Sequence, residues 1–279
     1  MTQIYIQTIN SNFYSTSTSN SFYQILIFNG CCRFEINFIE YEFNGYTILF
    51  LTPYQQFKWL NDFEVEIKFV KFHGDYYCIE YHKNVISCNG FLFNNIYEKP
   101  FFNITKPVFD EVKEIIGKMK DEFENEIENP FSDSILKTYL QLILALSSKE
   151  KAKLLTTVKP NEIPNKDIVY FQELLEKYYI TERSIAYYAS EFSLSPNAFS
   201  KKIKQQFTKT PSQLIQERVI LESKKLLHLT YKSVKEIAQE LHFEDEFYFS
   251  RYFKKNVGIS PTIYRKNVGI SIVAKKSMD

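Results

Sequence analysis

The first hundred residues alternate in character. In EVEIKFVKF, Val65, Ile67 and Phe69 share one face, while Glu66, Lys68 and Lys71 mostly fall elsewhere. This is the period-two pattern of a half-buried strand. The segments FYQILIFNG (22–30), FEINFIEYEFNGYTILFLTP (34–53) and FEVEIKFVKFHGDYYCIEYH (63–82) are rich in β-branched and aromatic residues and read as strands. Asn44-Gly45, between two such runs, predicts a tight hairpin. Several short antiparallel strands over residues 1–104 predict a small barrel or jelly roll.

From Pro107 the period becomes helical. Val108, Val112, Ile115, Ile116, Met119 and Phe123 form one stripe on a helix predicted over residues 106–127. Pro130 ends it, and a second helix is expected from Ser134 to Leu146. Its stripe of Ile135, Leu136, Tyr139, Leu142, Ile143 and Leu146 covers a wide arc. Such a pair either covers one end of the barrel or forms a dimer interface. The stretch SSKEKAKLLTTVKPNEIPNK (147–166) is polar with two prolines and reads as a linker, with its core at 151–166. The expected organisation is therefore a first domain over 1–150, the linker, a helical domain over 167–268 and a polar tail at 269–279.

The helical part contains one pattern twice: SIAYYASEFSLSPNAFSKKIKQQFTKTP from Ser184 to Pro211, and SVKEIAQELHFEDEFYFSRYFKKNVGISP from Ser233 to Pro261. Ala189 and Glu191 match Ala238 and Glu240 at an offset of 49, whereas Phe199, Ser200, Lys204 and Pro211 match Phe249, Ser250, Lys254 and Pro261 at an offset of 50. The slip of one falls in the turn between two helices, where an insertion is best tolerated. Each copy reads as a helix-turn-helix with Ser195 or Asp245 capping its second helix and Pro196 in the first turn of the earlier one. Phe199, Ile203, Phe249 and Phe253 are expected inward. That leaves Asn197, Ser200, Lys201 and Lys204 outward in the first copy, and Glu246, Phe247, Ser250, Arg251 and Lys254 in the second. Asn197 suits a base edge, Ser200 a base or phosphate, Lys201 guanine or phosphate, Arg251 a bidentate contact to guanine, and Phe247 a thymine methyl. A helix from Leu214 to Leu229 would hold the two units one helical turn of DNA apart.

Charge sharpens this division. Residues 160–279 carry 19 Lys and Arg against 14 Asp and Glu, and residues 1–159 carry 15 against 19, so +5 and −4 underlie the net +1. The basic excess coincides with the repeat, as nucleic-acid binding favours. The length of 279 residues suits about two domains.

The second copy and its flank, EIA (236–238), YFSRYFKK (248–255), Gly258, Ser260-Pro261 and Tyr264-Arg265, with Arg218, Ser223, Leu226 and Leu227 in the connecting helix, resemble the AraC-type family of bacterial transcription regulators over residues 168–267. The resemblance implies an α+β protein of two domains: a cupin-like antiparallel barrel or jelly roll with a helix pair, then an all-helical double helix-turn-helix. It implies binding of double-stranded DNA through the outward residues named above, and a transcription activator, less often a repressor, acting with RNA polymerase. It also implies a small-molecule effector and a homodimer, both through the N-terminal half. Ser193 and His242 stand where the family usually has a glycine in the turn, and Thr208 stands where it often has one after the recognition helix. Glu246 replaces a neutral polar residue and would repel phosphate unless it accepts from a cytosine amine.

Other chemistry is sparse. Metal-binding barrels need clustered histidines, and the N-terminal half has only His73 and His82, with Glu80 beside the latter. There is no GxSxG, no Gly-rich phosphate loop and no carboxylate pair, so neither catalytic residues, metal nor cofactor is expected. The remaining readings are a barrel-type metal enzyme with a DNA-binding anchor, and an interaction module that no longer binds DNA. Cys31, Cys32, Cys78 and Cys88 show no zinc spacing or disulfide framework. MTQIYIQTINSN lacks a leader pattern and no apolar run reaches ~18 residues, so a cytoplasmic protein with reduced thiols is expected. Phe34, Tyr41, Tyr46, Phe50, Trp59, Phe69 and Tyr77 are the candidates to line an aromatic ligand pocket.

Overall fold

The computed structural model describes residues 3–60, 64–77, 91–125, 129–157 and 166–270. Packing divides the chain into two units, Met1–Asn95 with Lys99–Val158, and Ile96–Glu98 with Lys159–Asp279.

The first unit is built on a six-stranded antiparallel sheet. Its strands are β1 (Ile4–Asn10), β2 (Tyr23–Ile36), β3 (Ile39–Leu51), β4 (Phe57–Trp59), β5 (Glu66–Phe72) and β6 (Phe101–Asn103), with a 3-10 turn at Ser11–Tyr14. The order is β1-β5-β2-β3-β6, and β4 pairs with the far end of β2. The first half of β2 is apolar from Ile25 to Phe28 because both its faces are buried there, whereas beyond Asn29 buried and exposed residues alternate, successive side chains pointing to opposite faces. Ile25 and Ile27 join Ile48, Phe50, Val70 and Phe72 in one core, completed by the helix pair α1 (Lys106–Asn125) and α2 (Ser132–Thr157) through Val112, Ile116, Met119, Leu140 and Ile143. Leu26 and Phe28 face the other way, into a core of Phe34, Phe57, Trp59, Phe69 and Phe101. The stripe read on α1 is buried against the sheet as the period required.

Three expectations need correction here. The β2–β3 hairpin turns at Asn37-Phe38, with φ of 49° and 67°, the pair of positive values that a type I′ turn needs. Asn44-Gly45 lies inside β3. There Gly45 (φ 107°) pairs with Gly30 (φ 123°) across the ladder, and a Cβ on Gly45 would stand 3.5 Å from the Asn103 side chain. The second correction concerns α2, which runs past Leu146 to Thr157 through sequence expected to be linker. Polar residues there are held inside the unit: Ser147 Oγ donates to the Ile143 carbonyl at 2.6 Å, and Lys151 Nζ donates to the Phe91 carbonyl. Finally, the aromatic residues proposed to line one pocket divide between the two cores. Phe34, Tyr41, Trp59 and Phe69 pack on one face of the sheet, and Phe50 and Tyr77 on the other with Tyr46 at its margin.

Cys31 is exposed and Cys32 buried, as strand alternation dictates; burial and the neighbouring Cys31 push the Cys32 thiol up to about 12. Cys78, Cys88, Glu80 and His82 lie outside the described residues. His73 faces Asp75 at 3.6 Å, and no group of three metal-ligating side chains occurs among the described residues. No helix among them is long and apolar enough to cross a membrane.

The second unit is helical: α3 (Lys166–Tyr178), α4 (Ile185–Glu191), α5 (Pro196–Phe207), α6 (Pro211–Leu229), α7 (Val234–Glu240), α8 (Glu246–Val257) and α9 (Pro261–Val268). Leu214, Ile215, Val219, Leu226 and Leu227 bury the inner face of α6. Ile96–Glu98 packs with this unit: the Tyr97 hydroxyl donates to Glu176 at 2.9 Å, and the buried Lys209 donates to the Ile96 carbonyl at 2.9 Å and pairs with Glu217 at 2.7 Å.

Candidate nucleic-acid interface

Each repeat begins with a capped helix. Ser184 Oγ accepts the Ala186 N–H, and Ser233 forms a reciprocal capping box with Glu236. The hydrogen bond from Ser233 holds the Glu236 carboxyl below its usual range. Both helices end on the same device. The amide of Leu194 reaches the Ala189 carbonyl at 3.0 Å and that of Phe243 reaches the Ala238 carbonyl at 2.9 Å, with Ser193 (φ 53°) and His242 (φ 52°) in the left-handed region just before. The two side chains thus occupy the backbone state for which a glycine is usual. Because these positions match at the earlier offset of 49, the inserted residue is localised to Glu244, between Phe243 and the cap Asp245.

The second helix of each unit is fixed by a cap and buried aromatics. Ser195 accepts the Ala198 N–H at 3.3 Å and Asp245 the Tyr248 N–H at 2.6 Å. Phe199 and Ile203 beneath α5, and Phe249 and Phe253 beneath α8, are buried as expected. Phe171 and Phe192 pack on Phe199, and Phe243 on Phe249, with ring centroids 5.1–5.6 Å apart. Helical geometry then turns the opposite face outward.

On α5, Asn197, Lys201 and Lys204 are exposed and Ser200 is half-buried; on α8, Phe247, Arg251 and Lys254 are exposed, with Ser250 and Glu246 half-buried. Each set shares its own helix face. Phe247 is 68% exposed, a large apolar side chain without cover in the chain itself. Lys202, also on α5, is turned aside and paired with Asp167 of α3. Glu246 lies in the first turn of α8, where a carboxylate complements the helix dipole. Thr208 (φ 60°) and Gly258 (φ 89°) close α5 and α8 identically, their amides reaching Lys204 O at 3.0 Å and Lys254 O at 2.9 Å.

Behind these helices lies a charged scaffold. Arg218 of α6 donates to Glu176 at 2.8 Å and to Glu222 at 2.9 Å, with its guanidinium 3.9 Å from the Tyr179 ring centre. Sequence reading missed Arg183, just before α4. It donates to the carbonyls of Ile180 and Leu241 and lies 3.9 Å from the Phe243 ring centre. Nothing local marks it, because Leu241 is 58 residues away.

Residues 188–267 match the family model described as a helix-turn-helix domain. The chain is 25% identical over 139 residues to the HTH-type transcriptional regulator ExsA of Pseudomonas aeruginosa, covering 50% of this chain and 49% of that protein. It is 26% identical over 166 residues to the HTH-type transcriptional activator RhaS of Escherichia coli, covering 59% and 57%. The chain therefore spans about half the length of the curated relatives it matches. Among solved structures, ToxT from Vibrio cholerae O395 aligns over 95% of this chain and 98% of its own, at 16% identity and a TM-score of 0.41. Two capped, tandem helix-turn-helix units with matching outward faces, together with these sequence matches, identify residues 188–267 as a helix-turn-helix domain of the AraC type.

Proposed function

We propose that this chain is a sequence-specific DNA-binding transcription regulator in the cytoplasm, with α5 and α8 entering successive major grooves. One observation carries the reading: Ser200, Lys201 and Lys204 recur as Ser250, Arg251 and Lys254 at one offset, on the outward faces of two helices whose inward faces are equally buried. Asn197, Ser200, Lys201, Phe247, Ser250 and Arg251 face the bases, with Glu246 at the rim of the second site, and Lys204 and Lys254 grip phosphate. The matched relatives are named as a transcriptional regulator and a transcriptional activator, which favours activation through RNA polymerase. The sheet unit would take a small-molecule effector. The helix pair would dimerise, for which Leu142 and Leu155 on α2, 42% and 52% exposed, supply apolar surface.

The test is selection of binding sites from a random duplex pool with the full chain. Enrichment of a motif with two half-sites about 10 base pairs apart is the expected result. No enrichment, with affinity flat across sequences, would overturn the reading.

A further inference from the structure

The two repeats are joined by α6, but a single helix fixes their separation better than their mutual rotation. Arg183 supplies a second attachment. It precedes Ser184, the cap of the first repeat, yet its guanidinium donates to the carbonyl of Leu241 in the turn of the second repeat. Leu241 is the C-cap that follows α7, so this carbonyl belongs to the group that a helix end leaves without an internal partner. The same guanidinium lies 3.9 Å from the centre of the Phe243 ring, and a second bond, 3.3 Å to the Ile180 carbonyl, anchors it to the first repeat's side.

Phe243 carries the contact onward. Its ring packs on Tyr248, Phe249 and Tyr252 of α8, at 5.8, 5.1 and 5.2 Å. Arg183 thus touches both ends of the second turn: the carbonyl where α7 stops and the ring on which α8 rests. The position that corresponds to it in the second repeat is Lys232, which pairs with Glu240 inside its own unit at 2.6 Å. The cross-unit contact is therefore not a product of the repeat. Nor is it an ion pair: the partners are carbonyls and an aromatic face, Nε is buried with no partner, and burial lowers the guanidinium below its ordinary range. A planar fork that can donate and stack at once is what this geometry uses, and a lysine supplies only the donor.

We infer that Arg183 is a positioning residue that locks the second helix-turn-helix to the first, so that α5 and α8 meet DNA at one fixed spacing and rotation. This rests on the DNA-binding reading above.

The experiment uses the full chain and the duplex it selects, with the spacer between half-sites at its native length or changed by one or two base pairs, beside a duplex with one half-site scrambled. Affinity is read by fluorescence anisotropy. The wild-type chain should lose about tenfold or more when the spacer changes. Arg183→Ala should lose about tenfold at the native spacer, the cost of a looser bivalent link. Its discrimination among spacers should shrink to about threefold or less, and its affinity for the single half-site should stay within about twofold of wild type. Arg183→Lys, which keeps a donor toward Leu241, should bind every duplex yet retain the relaxed spacing preference, and so separates positioning from folding. Undiminished spacer discrimination in both variants would overturn the inference, as would an equal loss on every duplex in both. A wild-type chain that selects only one half-site would overturn it while leaving DNA binding intact; a wild-type chain that selects nothing would remove the reading beneath it.

Discussion

Thr208 and Gly258 occupy one structural position in the two repeats, and they permit a paired test of what the backbone there demands. Each follows a recognition helix in the left-handed region, at φ 60° and 89°, with its amide on the carbonyl four residues back. An L-residue in that region costs roughly 1–2 kcal/mol. Glycine escapes this but gives up roughly 0.5–1 kcal/mol of extra chain entropy on folding. The difference predicts that Thr208→Gly stabilises the first repeat by ~0.5–1 kcal/mol. Gly258→Ala should destabilise the second by a similar amount. A Cβ built on Gly258 meets nothing within 4 Å, so no steric contact confuses the backbone effect. The Thr208 hydroxyl bonds only to the adjacent Phe207 carbonyl in an exposed place, so its removal costs little. Amide hydrogen exchange of the full chain reads the two repeats separately. In the exchange regime that reports opening free energy, the α5 and α6 amides of Thr208→Gly should exchange about two- to fivefold more slowly, and the α8 and α9 amides of Gly258→Ala about as much faster. Unchanged or faster exchange in Thr208→Gly, or slower exchange in Gly258→Ala, would refute the argument that left-handed geometry dominates this site.

Arg251→Ala should relax preference at one base position of the selected site by about 1–3 kcal/mol, whereas Lys204→Ala should weaken all sequences alike and lower the salt slope by about 1; Arg251→Ala with unaltered affinity and preference sinks its assignment. Peptide mapping after brief alkylation of the native chain at pH 8 should find label on Cys31 and none on Cys32, whose thiol is buried and held up at about 12; equal labelling contradicts the strand alternation. Burial lowers the Lys224 ammonium from 10.5 to about 8, against the opposing pull of Glu217. Between those values the unfolded chain binds a proton that the folded one has released, so stability rises with pH there. The Cys32 thiol, raised from 9.0 by burial, and the Tyr188 phenol, raised from 10.0 by burial, act in the opposite sense, but only above about pH 9 and pH 10. The urea midpoint of helical signal should therefore rise between pH 8 and 9, and Lys224→Met should flatten that rise; an unchanged slope in the variant removes Lys224 as the cause.

The helical unit was legible because its determinants are local. Ser195 and Asp245 cap helices a few residues away, and Phe199, Ile203, Phe249 and Phe253 repeat at the helical period, so sequence alone placed both recognition helices. The sheet was less so wherever a long-range partner decides the outcome. Asn44-Gly45 carries the better local turn signal, yet the ladder pairs Gly45 with Gly30 and leaves Asn37-Phe38 to make the turn. The polar run after Leu146 stays helical because Ser147 and Lys151 find acceptors inside the unit, which composition cannot reveal. The aromatic candidates share a composition but not a face, since alternation along β2 and its neighbours sends them to opposite cores. Arg183 was invisible for the same reason: its role depends on a carbonyl in the other repeat.

The two recognition helices share a frame but not a chemistry, and this bears on the form of the DNA site. At the common offset, Lys201 answers to Arg251 and Ser200 to Ser250, while Asn197 answers to Phe247. An exposed amide near the start of α5 can exchange two hydrogen bonds with adenine, whereas an exposed ring near the start of α8 can only pack against a methyl group. Lysine is a point charge, whereas arginine presents a fork that fits the two acceptors of guanine. Glu244 adds one residue to the turn before α8, so that helix also starts later relative to its own first helix than α5 does. On the proposed assignment, the two half-sites should lie in tandem, as the chain repeats do, but differ in sequence: guanine fixed more strictly under α8, and adenine preferred under the start of α5. Site selection checks this directly. Two half-sites of the same sequence would show that Asn197 and Phe247 do not read bases, and would shift recognition to Ser200, Ser250 and the cations that follow them.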